Sequence, residues 1–261
     1  MEMAVACLAH GNASEDETEQ HPTLRAFLDA GDFSSGALDG FFASIPVPLR
    51  EPGALTFLWR GDAERVELLR WIHAGVDRHA FMRHPDSDLW HLRLPVQDDG
   101  RFEYKLAIGR AGGEDWVLDP GNPDRAGDPF GQNSVAMTWG YARPDWSLPL
   151  GNPEGRVEML EVGSEVFGEV RTEKVYLPPD HDRHTDHPLV VIHDGGDYAN
   201  YADLTVSLDN LIAAGDIPPL VAVLIEAGDR MSEYPKGRRH ARYLVGELLP
   251  AVNHRYAISA A

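Results

Sequence analysis

The chain has 261 residues, 43% hydrophobic, 25% charged and 9% aromatic, and 42 acidic against 23 basic residues give it a formal charge of −19. That length fits one large or two modest domains, and this apolar content excludes disorder as a whole-chain state. No apolar run approaches the roughly 18–20 residues that span a bilayer, and the acidic excess argues against nucleic acid or an anionic membrane as a partner.

Cys7 is the single cysteine, so no internal disulfide framework is available, which is compatible with a reducing cytoplasm. The first ten residues lack a basic leader, and an acidic run at 15–19 follows at once, so no secretory signal is expected and the reading is cytoplasmic. Residues 1–20 read as a flexible acidic tail. Nothing near Cys7 would lower its pKa, so no reactive thiol is expected there.

Residues 21–50 read as short helices and a linker. Leu24, Phe27 and Leu28 share one face of an amphipathic helix over 21–30 that stops at Gly31, and a second short helix is expected over 33–42. Pro46, Pro48 and Pro52 then force extended chain. From residue 54 the pattern changes to short strands at 55–60, 66–72, 89–94 and 101–108, with Gly61-Asp62 between the first two and Asp98-Asp99-Gly100 read as a hairpin turn between the last two. Strands at this spacing predict a β-sandwich over 51–145. Residues 119–131 carry three prolines and three glycines and read as an ordered loop without regular structure.

The domain boundary falls in the Pro-, Gly- and Trp-rich stretch 141–155. Beyond it, over 156–261, two antiparallel strands are expected at 156–162 and 166–177. A wholly apolar strand follows at 189–192, then a helix at 204–214, a buried strand at 220–225 and a helix at 239–254. Strand, helix, buried strand, helix is the start of a doubly wound α/β sheet. The predicted fold is therefore α/β plus all-β, an N-terminal β-sandwich followed by an incomplete α/β domain.

The strongest local signal is His193-Asp194-Gly195-Gly196-Asp197-Tyr198, directly after the apolar strand. Glycines at a strand's carboxyl end permit unusual backbone angles and can aim amide N–H groups into a crevice, where they stabilise an oxyanion. The residues alone leave a second reading open, an ordinary strand-to-helix turn with exposed charges. Asp229-Arg230-Met231-Ser232-Glu233-Tyr234 follows the second buried strand on the same edge; an exposed crossover loop is the alternative there. His181, His184 and His187 with Asp182 and Asp186 read as a solvated loop rather than a metal site, because no helix or hairpin fixes their geometry. Trp59, Trp71, Trp90 and Trp116 read as core rather than as a sugar platform, and Trp139 and Trp146 as interdomain packing.

Several segments carry a family resemblance: Val175-Tyr176-Leu177-Pro178-Pro179, residues 189–198, residues 208–219 (from Leu208-Asp209-Asn210 to Pro218-Pro219), and Glu247-Leu248-Leu249-Pro250 before His254-Arg255-Tyr256. Together they resemble the enterochelin-esterase-like serine esterases of the α/β-hydrolase fold. Residues 119–131 and the strands before them resemble the early-set, carbohydrate-binding-module-like domain that precedes the hydrolase domain in that family. The resemblance spans about residues 35–258.

It implies that Gly195, Gly196 and Asp197 contribute an oxyanion-hole amide, and that Tyr198, Arg230, Glu233 and Tyr234 contact substrate. The reaction it implies is hydrolysis of a small-molecule carboxylic ester, a siderophore-type trilactone among them, through a serine acyl-enzyme without metal or organic cofactor. The sequence departs from the family at one point: no serine has glycine two positions before it, so the Gly-x-Ser-x-Gly elbow is not among these residues. The expectation is a chain that stops before its nucleophile, acid and histidine, with an unfinished sheet edge open to self-association. The alternative is a non-catalytic binding or interaction protein, a pseudo-hydrolase or carbohydrate-binding-like module.

Overall fold

The computed structural model describes residues 20–72, 75–234 and 238–259; the expected tail, Cys7 and the Trp71 side chain lie outside what is described. The chain divides into two compact units, one running to Ala126 with Gln132–Tyr141 and the other comprising Gly127–Gly131 and the chain from Ala142 onward. No described helix is long and apolar enough to cross a membrane.

The first unit begins with two helices, α1 (Pro22–Ala30) and α2 (Ser35–Ser44). Pro22 suits the first turn of α1, where an amide would be unpaired anyway, and Gly31 ends that helix at φ 69°. The Ser34 hydroxyl accepts from Ala37 N at 3.3 Å and caps α2. The helices bury Leu24, Leu38 and Phe41 against Val47, Leu49, Leu58 and Leu89.

Ten strands follow: β1 (Leu49–Glu51), β2 (Ala54–Arg60), β3 (Arg65–Ile72), β4 (Gly75–Ala80), β5 (Met82–Arg83), β6 (Leu89–Pro95), β7 (Arg101–Arg110), β8 (Gly113–Val117), β9 (Arg125–Asp128) and β10 (Gly131–Met137). One sheet runs β1-β2-β6-β5; the other runs β4-β3-β7-β10-β9, with β8 also on β7. A single apolar cluster draws Phe57, Trp59, Trp90 and Leu92 from the first sheet and Val66, Leu68, Tyr104 and Leu106 from the second.

Two sequence expectations change here. Asp98-Asp99-Gly100 is not a hairpin turn, because β6 and β7 lie in different sheets. Thr138 holds Gly100 from both sides instead, with Gly100 N donating to its hydroxyl and Thr138 N donating to Gly100 O. Residues 119–131 do contain a strand, β9. Pro120, Pro123 and Pro129 flank it rather than interrupt it, so its four residues remain free to pair. A buried polar knot fixes the segment: the Tyr104 hydroxyl donates to Asp119 at 2.7 Å, and Asn122 donates to Tyr104 and to the Val135 carbonyl.

The second unit has one four-stranded sheet in the order β11-β12-β14-β13. β11 (Arg156–Ser164) and β12 (Glu169–Leu177) are antiparallel, β12 is antiparallel to β14 (Val221–Ile225), and β14 is parallel to β13 (Leu189–His193). Helices α3 (Gly195–Tyr201) and α4 (Leu204–Ala214) carry the chain from β13 toward β14. After β14 come α5 (Arg230–Glu233), α6 (Arg238–Tyr243) and α7 (Leu249–Arg255). Apolar clusters lie on both sheet faces. Leu208 of α4 meets Tyr176, Ala222 and Leu224, while Tyr243, Leu248 and Val252 meet Val175, Val223 and Ile225 on the other face.

The helix expected over 239–254 is not continuous: a π-helical turn, Leu244–Leu248, separates α6 from α7. Pro250, in the first turn of α7, has no amide to donate backward, so the helix restarts there. The second strand starts at Glu169 rather than 166 because Gly168, at φ 76°, turns the chain just before it.

Candidate functional site

Both loops singled out in the sequence leave the carboxyl ends of parallel neighbours, β13 and β14, where α/β sheets bind ligands. Asp194 takes a left-handed conformation, φ 53°, and α3 begins at the next residue. Gly195 is buried against β14; a Cβ there would lie 2.4 Å from Leu224 Cα. The loop's amides are unequally engaged. Asp197 N and Tyr198 N donate to the Asp194 carbonyl at 3.0 and 3.3 Å. Gly196 N donates to the Glu226 carboxylate at 2.5 Å.

The loop after β14 is built around Arg171, whose side chain is only 7% exposed. Its guanidinium donates to the Glu226 carbonyl at 2.6 Å and to Glu233 at 3.1 Å, and stacks over the rings of Phe167 and Tyr243. Glu233 in turn accepts from Gly228 N and Asp229 N at 3.1 and 3.3 Å. Beneath Arg171 lies Glu173, 1% exposed, accepting from the Tyr243 hydroxyl at 2.8 Å. Burial pushes the Glu173 carboxyl above its usual range and, with the charge of Glu173, pushes the Tyr243 phenol up as well.

Of the sequence-predicted contacts, Arg230 forms an ion pair with Asp194 at 3.0 Å and so joins the two loops. Tyr234 lies edge-on to His193 and to His240, and burial and the neighbouring Asp194 charge raise its phenol pKa. Tyr198 is half exposed on α3. Glu233 is turned inward onto Arg171, its side chain 11% exposed.

Sequence reasoning missed Arg171, Glu173, Lys174, Glu226, His240 and Tyr243. A signal existed for two of them: Arg171 and Glu173 fall in the same two-residue phase of β12 as Val175 and Leu177, where a charge on a buried face requires a partner. His240 of α6 is buried, its Nε2 3.2 Å from His193 Nδ1; burial and the adjacent imidazole lower its pKa.

The histidine loop is not simply solvated. His181 stacks on His187 at 5.0 Å, and His187 is buried and bridges to Ile258. No group of three or more metal-ligating side chains that could hold a metal ion occurs among the described residues. Trp59 and Trp90 are core, whereas Trp116, Trp139 and Trp146 are exposed.

Residues 164–261 match the family described as "Putative esterase", and residues 54–139 match the family described as enterochelin esterase, N-terminal. Along these two segments the chain is enterochelin-esterase-like. The Iron(III) enterobactin esterase of Dickeya dadantii is 26% identical over 245 residues, covering 75% of this chain and 55% of the relative, so the chain spans about half the length of the curated relative it matches. The enterobactin esterase FES of Shigella flexneri, solved in the presence of enterobactin, superposes with a TM-score of 0.65 at 21% identity, covering 85% of this chain and 67% of that one. The ferric enterobactin esterase of Salmonella typhimurium gives a TM-score of 0.67 at 20% identity over the same shares, 85% and 67%. These likenesses establish a shared fold.

Proposed function

We propose that these residues form the oxyanion side of a cytoplasmic serine esterase that hydrolyses a small-molecule carboxylic ester of the siderophore trilactone type. The observation that carries this reading is the glycine loop at the end of β13, seated on β14 and bonded through Gly196 to a carboxylate. In the reaction, a serine outside these residues attacks the ester carbonyl and charge develops on its oxygen. An amide of the 195–197 segment donates to that oxygen, the alkoxide leaves, and water releases the acyl group. Asp197 N is already spent on Asp194 and Gly196 N on Glu226, which leaves Gly195 as the candidate engaged by neither. Tyr198, Arg230 and Tyr234 line the substrate side, and Glu233 shapes that wall from behind by holding Gly228 and Asp229. In this reading the first unit is the early-set β-sandwich, and the second is the opening part of an α/β-hydrolase sheet.

A second reading, a non-catalytic binding protein, is favoured by one fact: no Gly-x-Ser-x-Gly occurs in the chain. Fluorophosphonate labelling separates the two. The esterase reading expects no adduct on this chain alone, but a serine adduct and trilactone hydrolysis from the product of the complete reading frame. No adduct and no turnover from that product would leave the binding reading standing.

A further inference from the structure

We propose that Glu226 is the positioning residue of the oxyanion loop, holding Gly196 from the end of β14 while Arg171 and Glu173 hold Glu226. The inference rests on the esterase reading of residues 193–198 and gives Glu226 a role in it.

Glu226 is the first residue after β14, and its amide, carbonyl and carboxylate each make a hydrogen bond. Its amide donates to Glu173 at 3.4 Å, its carbonyl accepts from Arg171 at 2.6 Å, and its carboxylate accepts from Gly196 N at 2.5 Å. Asp194, at the N-cap of α3, makes no side-chain capping bond. The cap therefore comes from a neighbouring strand, and it is ionic, the stronger kind of amide acceptor. A Cβ at 196 would lie 1.9 Å from Glu226 Oε1 and 3.5 Å from Lys174 Nζ, so a side chain there would push the carboxylate off the amide. Since β12 supplies Arg171, Glu173 and Lys174, the loop is set by two strands whose own register is fixed by the sheet. An oxyanion donor gains its effect from being fixed before charge develops, so a clamp on the adjacent amide is what such a loop requires.

Amide exchange followed by NMR on the full chain tests this without needing turnover. Glu226→Ala should accelerate exchange at Gly196 by about tenfold or more, as expected for a lost bond to a charged acceptor. Glu226→Gln, of equal size, should fall between the native protein and Glu226→Ala in exchange, and Glu226→Asp should restore part of the protection. Strand amides of β11 should not change. Unchanged Gly196 exchange in Glu226→Gln and Glu226→Ala, or equal acceleration throughout the sheet, would overturn the proposal. If Glu226→Ala does not fold, the Gln and Asp variants decide. The esterase reading fails by a different route, the absence of an adduct on the complete product, so the two failures are distinguishable.

Discussion

Gly195 and Gly196 are adjacent, and both exclude a side chain, but what each would strike differs. At 195 the obstacle is Leu224 backbone at 2.4 Å; at 196 it is the end of a side chain that can rotate away. Gly195→Ala should therefore cost about 1–3 kcal/mol or more in urea unfolding, and Gly196→Ala clearly less. Arg171 is the other residue on which the site depends. Arg171→Met would strand Glu173 and Glu233 without their cation, and a loss of about 3–5 kcal/mol is expected in the same assay. Arg171→Lys should recover little, because one ammonium cannot reach Glu233 and the Glu226 carbonyl as the planar guanidinium does.

At the scale of elements, α6 brings His240 against His193, Tyr234, Glu233 and Arg171. Its folded pKa is depressed, so below the ordinary histidine value of about 6.5 the unfolded chain takes a proton that the folded one refuses. Stability from this group is present above that value and is lost as pH falls through it. Buried His91 of β6, lowered by burial and by His84, acts in the same direction in the first unit. Glu173 and Asp119, raised by burial, act oppositely as pH falls further. The informative quantity is therefore a difference. His240→Phe should flatten the fall in unfolding midpoint between about pH 7.5 and about pH 5.5, and an unchanged slope would count against a neutral buried His240.

The elements also show what the sequence could reveal. Apolar runs at 189–192 and 220–225 announce β13 and β14, because buried parallel strands need apolar residues on both faces. Pairing across sheets is not local, so Asp98-Asp99-Gly100 resembles a hairpin turn while joining two sheets, and β9 hides between prolines. In the site, Gly195, Gly196 and Arg230 were legible from their place after apolar strands. Glu226 was not: the strand phase marks Arg171 as a buried charge but not the partner it meets across 55 positions of chain.

At the scale of the whole molecule, β13 stands at the sheet edge with Val190 38% exposed. Unpaired edges recruit other strands. The chain should therefore elute as concentration-dependent oligomers in size-exclusion chromatography, and Val190→Lys should shift it toward monomer. A monodisperse native monomer would contradict this. The two units match the two families in order, enterochelin esterase N-terminal and then esterase, yet the chain contains no elbow serine. The central proposal is that these residues form the oxyanion side of a serine esterase, with the nucleophile outside them. Sequencing the transcript beyond the Ala261 codon tests it most directly. The account predicts an in-frame Gly-x-Ser-x-Gly shortly downstream, followed by an acid and a histidine; a stop codon followed by unrelated sequence would contradict it.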